Sequence, residues 1–198
     1  MARPKSLSDD DLLDRLLATM RRTGPDRLSF AAAAAGAGLS GPTLVQRFGT
    51  RDAMLKAVLR RAWDLLDAKT EQEIARMPRT PAGAVALLVA LSGDYDSLQD
   101  YSEGLLVLRE DMRSSELRAR GDRWGAELAE ALSRALGGEA PSRPELGRLM
   151  ASVWQGALLW WGFSRRGTPA DAVRLELAAF CRALGYRWEE VEEPAQSR

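Results

Sequence analysis

The stretch from Ser40 to Arg51 sets Thr43, Gln46 and Arg47 on one side of a helix, with Leu44 and Phe48, four residues apart, on the other. An outward Gln can pair with adenine or other base edges, an outward Arg with guanine or phosphate, and a hydroxyl with phosphate. This chemistry recognises a partner and breaks no bond. The 198 residues contain no histidine and one cysteine, Cys181. His-based metal sites, Ser-His-Asp triads and imidazole bases are therefore excluded. So are intrachain disulfides, CxxC redox pairs and Cys-rich zinc sites. No carboxylate pair or nucleophile–base pair stands out by spacing, so a non-enzyme without metal or cofactor is expected. Cys181 beside Phe180 reads as a buried inert thiol.

The elements that must position these side chains are helices. Ala and Leu total 61 residues, against 16 for Ile, Val and Thr, which predicts an all-α fold of about nine helices. Ser8 precedes three aspartates and the run Leu12, Leu13, Leu16, Leu17, Met20, and Gly24-Pro25 stops that helix. Ser29 caps a short helix to Gly36. Ser40 caps another that starts at Gly41-Pro42, and Gly38 supplies the turn between them. Thr50 caps a long helix to about Arg76. Five more are expected: Thr80-Pro81 to about Leu98, Ser102 to Met112, Ser114 to Leu136, Pro144 to Arg166, and Thr168-Pro169 to Leu184-Gly185. The longest apolar stretches, 82–91 and 153–163, are too short to span a bilayer. No apolar export segment follows Met1. A soluble cytoplasmic protein without a membrane partner is expected.

The formal net charge is zero, with 28 basic and 28 acidic residues. The balance is uneven along the chain. Residues 1–61 carry +5 and residues 62–198 carry −5. Between Leu28 and Arg61 one acid, Asp52, stands against Arg47, Arg51, Lys56, Arg60 and Arg61, a local basic footprint of the kind phosphates attract.

Residues 28–55 resemble the N-terminal domain of the TetR family of bacterial transcription regulators. The resemblance rests on Ser29, Ala34, Ala37-Gly38-Leu39-Ser40, Pro42-Thr43-Leu44, Phe48 and Thr50-Arg51-Asp52-Ala53-Met54-Leu55. It implies a three-helix helix-turn-helix DNA-binding domain over 1–54 and a helical ligand-binding and dimerisation domain over 55–198. Carried over residue by residue, Ser29 and Thr43 contact phosphates, Pro42, Gln46 and Arg47 face the groove, and Arg51 holds the backbone from the start of the fourth helix. Arg3 and Lys5 form an arm to an adjacent groove. Val45 stands where the family usually has an aromatic whose hydroxyl contacts phosphate. Gly41 stands where a longer residue is common, and Ala31, Ala32 and Ala35 where polar contacts are common.

The resemblance further implies a homodimer, a double-stranded DNA operator and a small-molecule effector, together a repressor released by a small, largely apolar ligand. Candidate pocket residues are Trp63, Tyr95, Trp124, Met150, Trp154, Trp161 and Phe163. Candidate dimer residues are Val153, Ala157 and Trp160 on one helix and Val173, Leu177, Phe180 and Leu184 on the last. Arg109, Glu110 and Asp111 could add polar contacts to the pocket. The alternative is a helical small-molecule-binding or adaptor protein without sequence-specific DNA binding, which the alanine-rich second helix and Val45 favour.

Overall fold

A computed structural model describes residues 7–93, 98–137 and 144–186. Among these, nine α-helices follow in order: α1 (Asp9–Thr23), α2 (Phe30–Ala37), α3 (Gly41–Phe48), α4 (Arg51–Arg76), α5 (Pro81–Leu91), α6 (Leu98–Arg113), α7 (Ser115–Gly137), α8 (Pro144–Ser164) and α9 (Pro169–Ala183). A single 3₁₀ turn, Pro25–Arg27, joins α1 to α2. The described residues show no strand, as the scarcity of β-branched side chains predicts. None of their helices is long and apolar enough to cross a membrane. They fall into two compact units, one within 1–68 and 95–121, the other within 69–94 and 122–198.

The starts of the helices follow the predicted caps. The hydroxyls of Ser8, Ser29, Ser40, Thr80 and Thr168 each accept the backbone N–H three residues on, satisfying a donor that a helix start leaves free. Thr50 does the same for Ala53 at 3.1 Å. One boundary differs from expectation. The helix opened by Thr80-Pro81 ends at Leu91 and does not reach Leu98. Ser92 closes its last turn onto Val89, and Gly93 adopts φ +75°, a left-handed conformation that stops propagation. The following helix begins at Leu98, ahead of the expected Ser102.

In the first unit Leu12, Leu16 and Met20 of α1 pack with Leu28 just after the 3₁₀ turn, Ala33 and Ala37 of α2, Leu44 of α3, Met54 and Val58 of α4, and Leu117 of α7. All are essentially fully buried, and each large side chain among them contributes about 1.5–3 kcal/mol of transfer free energy. The alanine and glycine run of α2 has a packing cause. A Cβ on Gly36 would lie 2.0 Å from Thr19 Oγ1 on α1, so any other residue there forces Thr19 to move. Arg15 Nη1 then donates to the Ala37 carbonyl at 2.9 Å and closes the C-terminal end of α2.

In the second unit α9 packs on α8 and α5 through Val173, Leu177, Ala178 and Cys181. Burial pushes the Cys181 thiol up to about 11, which leaves it protonated and unreactive. A Cβ on Gly147 of α8 would fall 1.8 Å from the Ala129 carbonyl oxygen of α7, a crossing that only glycine allows. Two indoles hold the interior. Trp154 Nε1 donates to Ser92 Oγ at 2.9 Å, and Ser92 Oγ donates to the Leu88 carbonyl. Trp124 Nε1 donates to Thr70 Oγ1 at 3.0 Å.

Candidate nucleic-acid interface

The helix-turn-helix forms as the residue pattern requires. Ser29 starts α2, and Gly38 ends it in the left-handed region (φ +68°, ψ +34°). The half-buried Leu39 pins the turn, and Ser40 starts α3. The buried Leu44 and half-buried Phe48 fasten α3 to the core of the first unit. Its opposite face presents Pro42, Thr43, Val45, Gln46 and Arg47, all exposed. The Ser40 and Thr43 hydroxyls lie 2.7 Å apart, two polar oxygens at the helix start, where the dipole favours an anion. α2 adds the exposed Ala31 and Ala35, so its outer face is smooth and uncharged. α2 and α3 together hold one ionised side chain, Arg47.

Electrostatically the footprint differs from what the sequence suggests. Of its five cations, four are engaged within the first unit. Arg47 pairs with Asp9 at the start of α1. Arg60 forms a two-pronged bond with Glu116 at 2.7 Å on each prong. Arg61 binds Asp14 through two bonds and Asp10 through a third, and its guanidinium holds the Asp14 carboxyl below the usual range. Arg51 is bonded to backbone within the unit. Its guanidinium donates to the carbonyls of Leu28 (3.1 Å), Pro25 (2.6 Å) and Asp26 (3.2 Å). It thereby braces the 3₁₀ turn that leads into the Ser29 cap. Lys56 is exposed on α4. Asp26 is held a second time through its side chain, by Arg109 Nη2 of α6 at 2.6 Å. Arg3 and Lys5 lie outside the described residues.

The expected pocket residues do not form one set. Tyr95 lies outside the described residues. Trp63 belongs to the first unit, where its indole N–H donates to Asp111. Asp111 Oδ1 is buried without a hydrogen-bond partner, and desolvation pushes the carboxyl up to about 6. In the second unit Trp124 and Trp154 stand with ring centroids 6.3 Å apart at 49°. Met150 is fully buried one turn before Trp154. Trp161 donates to the Gly167 carbonyl at 3.1 Å, with the Arg165 guanidinium over its ring. Phe163 is 76 % exposed, on the open side of α8.

The dimer candidates divide in the same way. Val173 and Leu177 are at 0 % exposure. Their face of α9 turns into the unit and cannot meet another chain. The outer face of α9 carries Ala172, Leu175 and Ala179 instead, with Leu175 65 % exposed. Phe180 is half-buried and Leu184 exposed. On α8, Leu149, Val153, Gly156, Trp160 and Phe163 follow at spacings of four, three, four and three residues, all at least partly exposed. Trp160 is 71 % exposed and stacks at 5.9 Å on Phe163. Beside them a groove of about 480 Å³ is lined by Ala157, Trp160, Trp161, Phe163, Ala172 and Leu175, among others. Among the described residues no cluster of His, Cys, Asp or Glu could hold a metal ion.

No family model matches the chain, and no curated protein does. Solved structures do. A protein from Saccharomonospora viridis, described as a transcriptional regulator and solved in complex with choline, superposes with a TM-score of 0.68 at 20 % identity, covering 86 % of this chain and 93 % of that one. A TetR-family transcriptional regulator from Streptomyces coelicolor gives 0.62 at 24 % identity, over 88 % and 81 %. The multidrug binding protein EbrR complexed with malachite green gives 0.60 at 18 % identity, over 85 % and 94 %. The chain therefore has the all-helical fold of TetR-family transcriptional regulators.

Proposed function

We propose that this protein is a sequence-specific DNA-binding transcription regulator, a homodimeric cytoplasmic repressor without catalytic activity. The observation that carries the reading is α3. Its buried Leu44 fixes the helix, while Pro42, Thr43, Val45, Gln46 and Arg47 stand outward on a surface with no acid of its own. Residues 1–54 read DNA, and 55–198 hold the effector and the partner copy. Gln46 is the base-reading side chain, and Ser29 and Thr43 are phosphate contacts.

Dimerisation rests on the heptad-like apolar stripe of α8 and on the outward Leu175. An exposed apolar patch of this kind marks an interaction site. A twofold pair sets two α3 helices to read half-sites about one helical turn apart. Two similar structures were solved with choline and with malachite green. They support a ligand-responsive reading, and the effector proposed here is a small, largely apolar molecule in the second unit, beside Trp124 and Trp154. A ligand that binds best when the two α3 helices are wrongly spaced lowers DNA affinity by linkage.

The test is a titration of the full chain against duplex DNA from around its own coding region, with unlabelled competitor of mixed sequence. Competitor-resistant binding that Gln46→Ala makes competitor-sensitive supports the reading. Binding lost equally to any competitor leaves the non-DNA-reading helical binder as the better description.

A further inference from the structure

We propose that Asp9, at the start of α1, is a specificity-determining positioning residue for the DNA-reading helix: it holds Arg47 and keeps that cation from bonding indiscriminately to phosphate. The proposal rests on the DNA-binding reading above. Its basis is how the acids at the start of α1 are used. Asp11 accepts from Ser8 Oγ at 2.6 Å. Asp10 and Asp14 are both bound by Arg61. Asp9 alone reaches across to α3, where it pairs with Arg47. Arg47 is the one ionised side chain of α2 and α3, so this pair removes the net charge of the helix-turn-helix itself. The Asp9 side chain stays 80 % exposed, and the Arg47 side chain is 33 % exposed.

Two consequences follow for DNA. A guanidinium carries five N–H donors in a fixed fork, so Asp9 can occupy part of it while the rest point at a base edge. The carboxylate meanwhile repels any phosphate that would compete for the same fork. Bonding to backbone alone then requires breaking the pair, and every sequence carries that penalty. A correctly spaced base edge can be met without breaking it. Arg47 thus serves discrimination more than affinity, an arrangement that weighs against wrong sites.

The experiment compares wild type, Asp9→Asn, Arg47→Gln and the double variant by anisotropy on a mixed-sequence duplex of about three helical turns. Salt is stepped from about 50 to 200 mM, and melting curves of each variant establish folding. Releasing Arg47 to one phosphate steepens log K against log salt by about 0.9, a further loss of about 3.5-fold across that range. Asp9→Asn is therefore expected to bind the mixed duplex several-fold tighter than wild type at the lowest salt, with the advantage fading as salt rises. In the Arg47→Gln background the same substitution is expected to change nothing. An equal gain in both backgrounds means that Asp9 acts only through its long-range charge and overturns the proposal, as does no gain in either. Absence of binding by every variant at the lowest salt overturns the DNA-binding reading itself. Should Asp9→Asn melt early, Asp9→Ser repeats the comparison under the same criteria.

Discussion

Gly36→Ala adds one methyl group where α2 crosses α1. That Cβ would sit 2.0 Å from Thr19 Oγ1, 3.2 Å from Thr19 Cβ and 3.4 Å from Cγ2. Thr19 cannot easily turn away. It is 3 % exposed, β-branched, and its hydroxyl donates to the Arg15 carbonyl at 2.9 Å. Over-packing of this sort costs about 1–3 kcal/mol. The better helix propensity of alanine returns up to about 1 kcal/mol. The net expectation is a loss of about 1–2 kcal/mol, which for a chain of this size lowers Tm by about 2–8 °C. Gly125, in α7, has nothing within 4 Å of an added Cβ. There the same substitution is expected to raise stability by about 0.5–1 kcal/mol. Thermal melting of the two variants side by side gives the comparison, and Thr19→Ala combined with Gly36→Ala should recover much of the loss. If Gly36→Ala melts at or above wild type, α2 does not pack on α1 as closely as described. The placement of α3 that depends on this contact would then be wrong as well.

Three further outcomes follow from the same geometry. Arg51→Lys keeps the charge but cannot reach three carbonyls with a planar fork, so it should lower stability by about 1–3 kcal/mol and weaken binding to all DNA together. Full stability with lost DNA affinity would instead restore Arg51 to a direct phosphate contact. Asp111 has its carboxyl raised from 3.8 to about 6, so its charge opposes folding above pH 6 and the opposition disappears below the unfolded value. The shift sets a ceiling of about 3 kcal/mol, reduced to about 1 kcal/mol because the group is only partly buried. Asp111→Asn should therefore melt higher than wild type at pH 8, and the gap should close between pH 6 and pH 4. Trp160→Glu places a charge in the exposed stripe of α8 and, on the twofold pairing proposed above, should leave only monomer in sedimentation, with the melting temperature unchanged.

Local physics made much of the fold readable. Ser29, Ser40, Thr50 and Thr168 announce helix starts because a hydroxyl satisfies a free N–H three residues on, and that bond needs no distant partner. Gly38 marks the turn for an equally local reason. The outward face of α3 follows from Leu44 and Phe48 alone. Features set by distant pairs left no local trace. Arg47 with Asp9, Arg60 with Glu116 and Arg51 with the Leu28 carbonyl join positions far apart in sequence. Charge counting alone therefore overstated the free basic surface. α9 has apolar residues on two faces, and periodicity cannot say which one turns inward. The larger face, Val173 and Leu177, is the buried one. Gly36 reads as part of a small-residue run, and only the position of Thr19 shows what a larger residue would displace.

If α3 reads DNA sequence as one of a twofold pair, selection of bound duplexes from a random pool by the full chain will reveal both the sequence and the pairing. The expected result is enrichment of an inverted repeat whose half-sites lie about 10–10.5 base pairs apart, centre to centre, or a multiple of that, and loss of the enrichment when Gln46 and Arg47 are both replaced by alanine. A recovered pool no different from its input, or the same motif enriched by the doubly substituted protein, would contradict it.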